Sequence, residues 1–242
     1  MRYGMVVDLD RCIGCWACAT ACKLENSVGE GIWWQMVHVV DVEVGLPTSY
    51  RDVDQPLPSA AAERSLGQHG LSFKHFQPSQ CFHCADAPCV TACPTNAIVQ
   101  RDDGIVRIEA AACIGCRDCE PACPYGMISF NAVEPVLPHG LDTGHGDPAV
   151  AVRVAGIVEK CTFCDHRVDR GDEPACVEVC PTHVFAFGDL DDPDSAVAAA
   201  RRSSGAEQPL AELGADPSVW YLPYTKAARQ RRSLADDVLS LD

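Results

Sequence analysis

The apolar runs of this chain are short and widely spaced. Met5-Val6-Val7-Asp8-Leu9-Asp10 predicts a β-strand near the first residues. Ile105-Val106-Arg107-Ile108 predicts a second, preceded by a turn at Arg101-Asp102-Asp103-Gly104 with glycine at the bend. Val152 to Val158 predicts a third, and Val219-Trp220-Tyr221-Leu222 a fourth. Pro94 to Ile98 reads as a helical turn. Ser59 to Leu66 predicts a short helix capped by Ser59, and Asp194 or Ser195 caps another that runs through Arg202. Proline and glycine recur between Val133 and Pro148, which reads as a loop, and Gly45 to Gln80 is rich in Pro, Ala and Ser.

The sixteen cysteines fall between these elements in four quartets. Cys12, Cys15, Cys18 and Cys22 are spaced C-x2-C-x2-C-x3-C, and Cys113, Cys116, Cys119 and Cys123 repeat that spacing. Cys81, Cys84, Cys89 and Cys93 widen the middle gap to four residues, and Cys161, Cys164, Cys176 and Cys180 widen it to eleven. Pro94, Pro124 and Pro181 follow the last cysteine of three quartets, ending the loop and removing a backbone donor. This is the bacterial ferredoxin spacing, in which three close cysteines serve one cubane and the fourth reaches another. Four thiolates per cluster give four [4Fe–4S] clusters as the expected cofactors.

Quartets two and three lie nineteen residues apart, with the helical turn and the hairpin between them, so they form one ferredoxin-like module. Quartets one and four then pair around it. The expected fold is α+β with high irregular content: two interleaved ferredoxin-like modules with loop insertions. The outer module comprises residues 1–44 plus 149–190 and the inner 76–130, with insertions at 45–75 and 131–148 and an extension at 191–242.

Zinc also uses C-x2-C knuckles, and a zinc-bearing structural or regulatory protein is the alternative of a different class. Zinc sites, however, combine two knuckles of two ligands rather than three ligands plus one. A disulfide framework is less needed in a chain of this length and 47% hydrophobic content. The formal net charge is −15, and four oxidised clusters would take it to roughly −23. Such a surface repels nucleic acid. No apolar run of eighteen residues predicts a membrane span. Met1 to Asp8 enters a strand without a signal-like run, so any export is expected to rely on a partner's signal.

The segments Asp8 to Cys15, Ala21 to Asn26, Gln80 to Cys84, Ala92 to Thr95, Cys123 to Tyr125, Glu159 to Cys164 and Cys180 to Thr182 carry a resemblance. From about Met1 to Leu190 the chain resembles the electron-transfer iron–sulfur subunits of the dimethyl sulfoxide reductase family of molybdopterin oxidoreductases. The smaller members, from polysulfide, thiosulfate, arsenate and tetrathionate reductases, are the nearest in pattern. The resemblance implies four ligand sets: Cys12, Cys15, Cys18 and Cys180; Cys22, Cys161, Cys164 and Cys176; Cys81, Cys84, Cys89 and Cys123; and Cys93, Cys113, Cys116 and Cys119. It implies a chain with no catalytic residues of its own, relaying electrons between a molybdenum or tungsten bis-pterin subunit and a quinone-linked membrane subunit or other redox partner. It also implies co-export to the periplasmic face of the cytoplasmic membrane, with a cytoplasmic location as the alternative. A formate dehydrogenase or hydrogenase wire and a soluble polyferredoxin are alternatives of the same class.

His83, inside quartet two, reads as a neighbour that tunes a cluster rather than a ligand. His166 and Lys160 have the same reading, balanced against plain surface roles. Trp33 and Trp34 read as core or interface anchors. His139 and His145 read as solvated loop residues. No nucleotide fingerprint or nucleophile elbow is present, so no substrate site is expected.

Overall fold

The computed structural model describes residues 1–41, 74–135, 146–203 and 205–225. Strand β1 (Tyr3–Asp8) is the centre of a three-stranded sheet. On one side it pairs antiparallel with β8 (Phe185–Asp189), placing Val6 opposite Ala186. On the other it pairs parallel with β9 (Val219–Leu222), placing Val6 opposite Trp220. Met5, Val6 and Val7 are all buried. Met5 and Val7 join the main core, while Val6 packs with Leu190, Val197 and Trp220 in a second one. Burial on both faces is why this strand reads as a continuous apolar run.

Helix α1 (Ala17–Glu25) carries Cys18 and Cys22. It leads to β2 (Met36–Asp41), which pairs antiparallel with β3 (Lys74–Ser79) along six residues. β3 crosses the boundary drawn at residue 76 between insertion and inner module. The short helix α2 (Pro88–Thr91) precedes β4 (Ile98–Gln100) and β5 (Val106–Ile108). These form the expected hairpin, closed by Gly104 at φ +84°. Pro94 to Ile98 is a turn rather than a helical one: the Asn96 N–H donates to the Cys93 carbonyl, and Asn96 itself sits at φ +54°.

The helix α3 (Cys119–Ala122) precedes β6 (Ser129–Phe130), which pairs with β7 (Val158–Glu159). The strand expected over Val152 to Val158 therefore shrinks to two residues, one of them beyond the expected end. Gly156 turns the chain at φ +82°, where its N–H donates to the Asn131 carbonyl and the Asn131 N–H to the Ile157 carbonyl; before that turn, Arg153 donates to the carbonyls of Ala151 and Asn26 instead of lying along a strand. Cys164 is the N-cap of α4 (Asp165–Val168), Cys176 lies on α5 (Ala175–Glu178), and α5 packs against α1. Helix α6 (Ala196–Arg202) is capped by Ser195, whose Oγ accepts from the Ala198 N–H; Arg201 and Arg202 close its last turn.

Among the described residues no helix is long and apolar enough to cross a membrane. The Ser59–Leu66 helix, His139, His145 and the tail beyond Thr225 lie outside the described residues, as does most of the loop between Val133 and Pro148.

Candidate metal centres

Each quartet bends its chain the same way. The residue just before the second cysteine has positive φ in all four: Gly14 at +69°, His83 at +42°, Gly115 at +68° and Phe163 at +55°. A left-handed residue there curls a C-x-x-C segment so that both thiols face one point. For a residue with a side chain this costs roughly 1–2 kcal/mol. Packing offsets the cost: the His83 and Phe163 rings are both buried and stack with centroids 3.7 Å apart.

The three cysteines followed by proline share a second device. Three residues on, the chain turns left-handed at Asn96, Gly126 and His183. This aims the next backbone N–H at the sulfur: Ala97 to Cys93 at 3.2 Å, Met127 to Cys123 at 3.4 Å and Val184 to Cys180 at 3.4 Å. Such donors favour the thiolate. Cys22 has no following proline, and α1 runs on past it. Its donor is a side chain, the Asn26 amide, 3.8 Å from Cys22 Sγ and 3.5 Å from Cys164 Sγ.

The sixteen thiols are all free, and they converge in four groups. Cys12, Cys15, Cys18 and Cys180 line one small cavity, walled by Ile13, Trp16, Val37 and Phe185. Cys81, Cys84, Cys89 and Cys123 line another, walled by Phe82, Tyr125, Ile128 and Lys160. Burial pushes the Cys22 thiol well above its ordinary range, and the neighbouring sulfurs of Cys161, Cys164 and Cys176 push it further. Burial lifts Cys119 to about 11, reinforced by Cys113, Cys116 and Cys93 against a backbone donor. Cys18 and Cys89 are each raised to about 12, again first by burial. Cys93 goes the other way: burial raises it, but donors from Ile98, Thr95 and Ala97 outweigh that.

The buried thiols of Cys18, Cys22, Cys89 and Cys119 resist ionisation unless a cation is supplied. The donor set, all sulfur with backbone N–H groups aimed at it, is the chemistry an iron–sulfur cluster needs. The residues present fit that cofactor.

Neighbours between groups run in one order. Cys18 adds to the push on Cys22 and Cys176, joining the first group to the second. Cys81 does the same to Cys161, joining the second to the third, and Cys119 to Cys89, joining the third to the fourth. Exposure follows the same line. Cys15 and Cys116, in the first and fourth groups, are exposed, and no other cysteine is.

His83 lies beside the third group, fully buried, with Nδ1 accepting from the Val106 N–H. Burial and the nearby Lys160 charge hold it neutral, well below the usual histidine range. His166 instead pairs with Glu25 at 2.9 Å, in a network with Arg167. Trp34 is buried with Arg153 over its ring. Trp33 is partly exposed, edge-on to Trp16. Asn26 and Arg153 carry no cysteine-like spacing signal. Only Asn26's place four residues after Cys22, one helical turn on, could have marked it.

Two families described as 4Fe-4S dicluster domains match the chain, one over residues 72–137 and 149–190 and one over 11–97. Over 221 residues the chain is 45% identical to an iron-sulfur subunit provisionally assigned to a dimethyl sulfoxide reductase of Halobacterium salinarum, covering 91% of this chain and 79% of that one. It is 37% identical to the iron-sulfur subunit of the arsenate respiratory reductase of a Shewanella species, covering 92% and 96%. It is 33% identical to one of the chains of the polysulfide reductase of Wolinella succinogenes, covering 92% and 94%.

Proposed function

The chain belongs to the electron-transfer iron–sulfur subunits of the dimethyl sulfoxide reductase family of molybdopterin oxidoreductases, and from that premise we propose which thiols hold which cluster and what lies at each end. The first cluster takes Cys12, Cys15, Cys18 and Cys180, and the second Cys22, Cys161, Cys164 and Cys176. The third takes Cys81, Cys84, Cys89 and Cys123, and the fourth Cys93, Cys113, Cys116 and Cys119. Residues 1–44 with 149–190 then act as an outer module around an inner module at 76–130.

Each [4Fe–4S] cluster, when bound, accepts and releases one electron. The chain's own residues do the rest. The thiols fix the spacing, the left-handed turns aim them, and buried Phe82, Tyr125 and Phe163 keep water away from the middle of the path. The observation that carries this reading is the single file of thiol groups with exposed members only at its two ends.

The subunit performs no substrate chemistry itself. The Cys15 end serves a molybdenum or tungsten bis-pterin catalytic subunit, and the Cys116 end a quinone-linked membrane subunit or another redox partner. The compartment is the catalytic partner's, on the periplasmic face of the cytoplasmic membrane when that partner is exported. Anaerobic purification of the complex tests the assignment. The expected result is about sixteen iron and sixteen sulfide per copy of this chain, with a pterin-bearing large subunit retained. Zinc in place of iron overturns the cofactor. Retention of this chain in the cytoplasm beside an exported large subunit overturns the compartment.

A further inference from the structure

Lys160 is only 2% exposed, so its ammonium is buried. The Nζ donates to the Cys161 carbonyl at 2.9 Å and to the carbonyl of Val106. Val106 belongs to the hairpin between quartets two and three, and Cys161 opens quartet four, so one side chain ties the two together. Carbonyls take up two of its three donors without neutralising its charge. Among the described residues Lys160 forms no ion pair with a carboxylate. Glu159, its buried neighbour in sequence, faces Arg153 at 3.5 Å instead. A buried charge without a counter-charge is strongly unfavourable, so something else must balance it.

The candidates are sulfurs of two different groups. Lys160 lines the cavity walled by Cys81, Cys84, Cys89 and Cys123. Its hydrogen bond to the Cys161 carbonyl, at 2.9 Å, also places it against the opening cysteine of the preceding group.

We propose that the Lys160 ammonium is a fixed counter-charge shared by the second and third thiol sets, which makes electron arrival at the two central clusters more favourable than their ligands alone would. The inference rests on the ligand sets proposed above. Each electron added to a thiolate-bound cluster deepens its negative charge. A cation held nearby in a low-dielectric interior stabilises that reduced state more than the oxidised one. Placed between the middle pair, it prevents the buried centre of the path from becoming an uphill stretch between two solvated ends. Lys160 is thus a positioning residue for charge and not a ligand.

The test is potentiometric titration of the anaerobically purified complex, followed by electron paramagnetic resonance, in Lys160→Gln, Lys160→Met and Lys160→Arg variants. Lys160→Gln keeps a hydrogen-bond donor and loses the charge; Lys160→Arg keeps the charge. With iron and sulfide content unchanged, the neutral variants should disfavour reduction of two of the four clusters by about tenfold, which is ~59 mV for a one-electron couple. Lys160→Arg should stay near the wild type. Unchanged potentials in a fully loaded Lys160→Gln complex overturn the inference while leaving the ligand sets standing. A uniform shift of all four clusters also overturns it. If the neutral variants fail to load clusters and Lys160→Arg loads normally, the charge is required and the inference holds. If Lys160→Arg fails as well, only the clamp between Val106 and Cys161 matters and the inference falls. A wild-type complex without iron would sink the ligand sets first.

Discussion

The side-chain amide of Asn26 reaches the sulfur of Cys164, 138 positions away in sequence, at 3.5 Å. The same nitrogen is 3.0 Å from the Cys22 carbonyl, and the Asn26 carbonyl accepts from Arg153. Asn26 is 1% exposed, so no water can replace it. It thus supplies to the second thiol set what backbone N–H groups supply after Cys93, Cys123 and Cys180.

Replacing Asn26 with Leu keeps a side chain branched at the same position, with bulkier methyl groups, and removes the donor. A hydrogen bond to sulfur favours the more negative, reduced state, so its loss should lower one reduction potential. The expected change is roughly tenfold in the reduction equilibrium, ~59 mV, at one cluster only. Potentiometric titration with spectroscopic detection reads this directly. A shift spread over all clusters would mean a general loosening of the fold.

Much of this arrangement is legible in the chain because cysteine spacing carries geometry. The repeated C-I-G-C of Cys12 to Cys15 and Cys113 to Cys116 marks the left-handed turn with a glycine. His83 and Phe163 occupy the same conformation with side chains, which no residue-type rule flags; only their mutual stacking makes it tolerable. The β2–β3 ladder was hidden for a different reason. His38, His75, Gln77 and Ser79 are buried polar residues, so neither strand alternates cleanly, and Pro78 argues against a strand at all. Lys160 and Asn26 are likewise buried polar groups, and for each at least one partner, Val106 or Cys164, lies far off in sequence.

Gly115 offers a sharper test of the loop geometry. It has φ +68°, and a Cβ there would run into the carbonyl oxygen of Gly156. Gly115→Ala therefore combines a left-handed penalty of roughly 1–2 kcal/mol with displacement of the segment before β7. The nearest cluster should be lost preferentially, leaving about twelve iron per chain with the other three spectroscopically intact. Full occupancy with unaltered spectra would show that the loop tolerates the change.

Removing iron should cost the fold most of its order. Nine of the cysteines sit within the main buried core, so the clusters occupy positions that hydrophobic side chains fill in other proteins. Chelation under anaerobic conditions should greatly increase protease sensitivity and reduce far-ultraviolet dichroism. The pH dependence of any residual metal-free fold has a definite sign. Burial raises Cys18 from 9.0 to about 12, so the buried thiol form stabilises that fold below pH 9.0. The contribution is lost as pH climbs from 9.0 towards 12, where the unfolded chain binds fewer protons. A metal-free form that grows more ordered above pH 9.0 would contradict this.

Crossed pairing makes the most discriminating prediction, because two cysteines on one helix should fail differently. Cys18 and Cys22 are a turn apart on α1, yet their thiol neighbours differ. Those of Cys18 are Cys12, Cys180 and Cys15, whereas those of Cys22 begin with Cys161, Cys164 and Cys176. Cys22→Ser should therefore damage the cluster proposed for Cys161, Cys164 and Cys176 and spare that of Cys12. Cys18→Ser should do the reverse. Either serine can keep a weak oxygen ligand, so the expected signature is one altered or three-iron signal beside three normal clusters rather than wholesale loss. Isolating the complex from cells grown without oxygen keeps secondary oxidation from mimicking the effect. If Cys22→Ser instead removed the cluster of Cys12, Cys15 and Cys18, each quartet would be serving its own cluster, and the interleaving of the two modules would have to be abandoned.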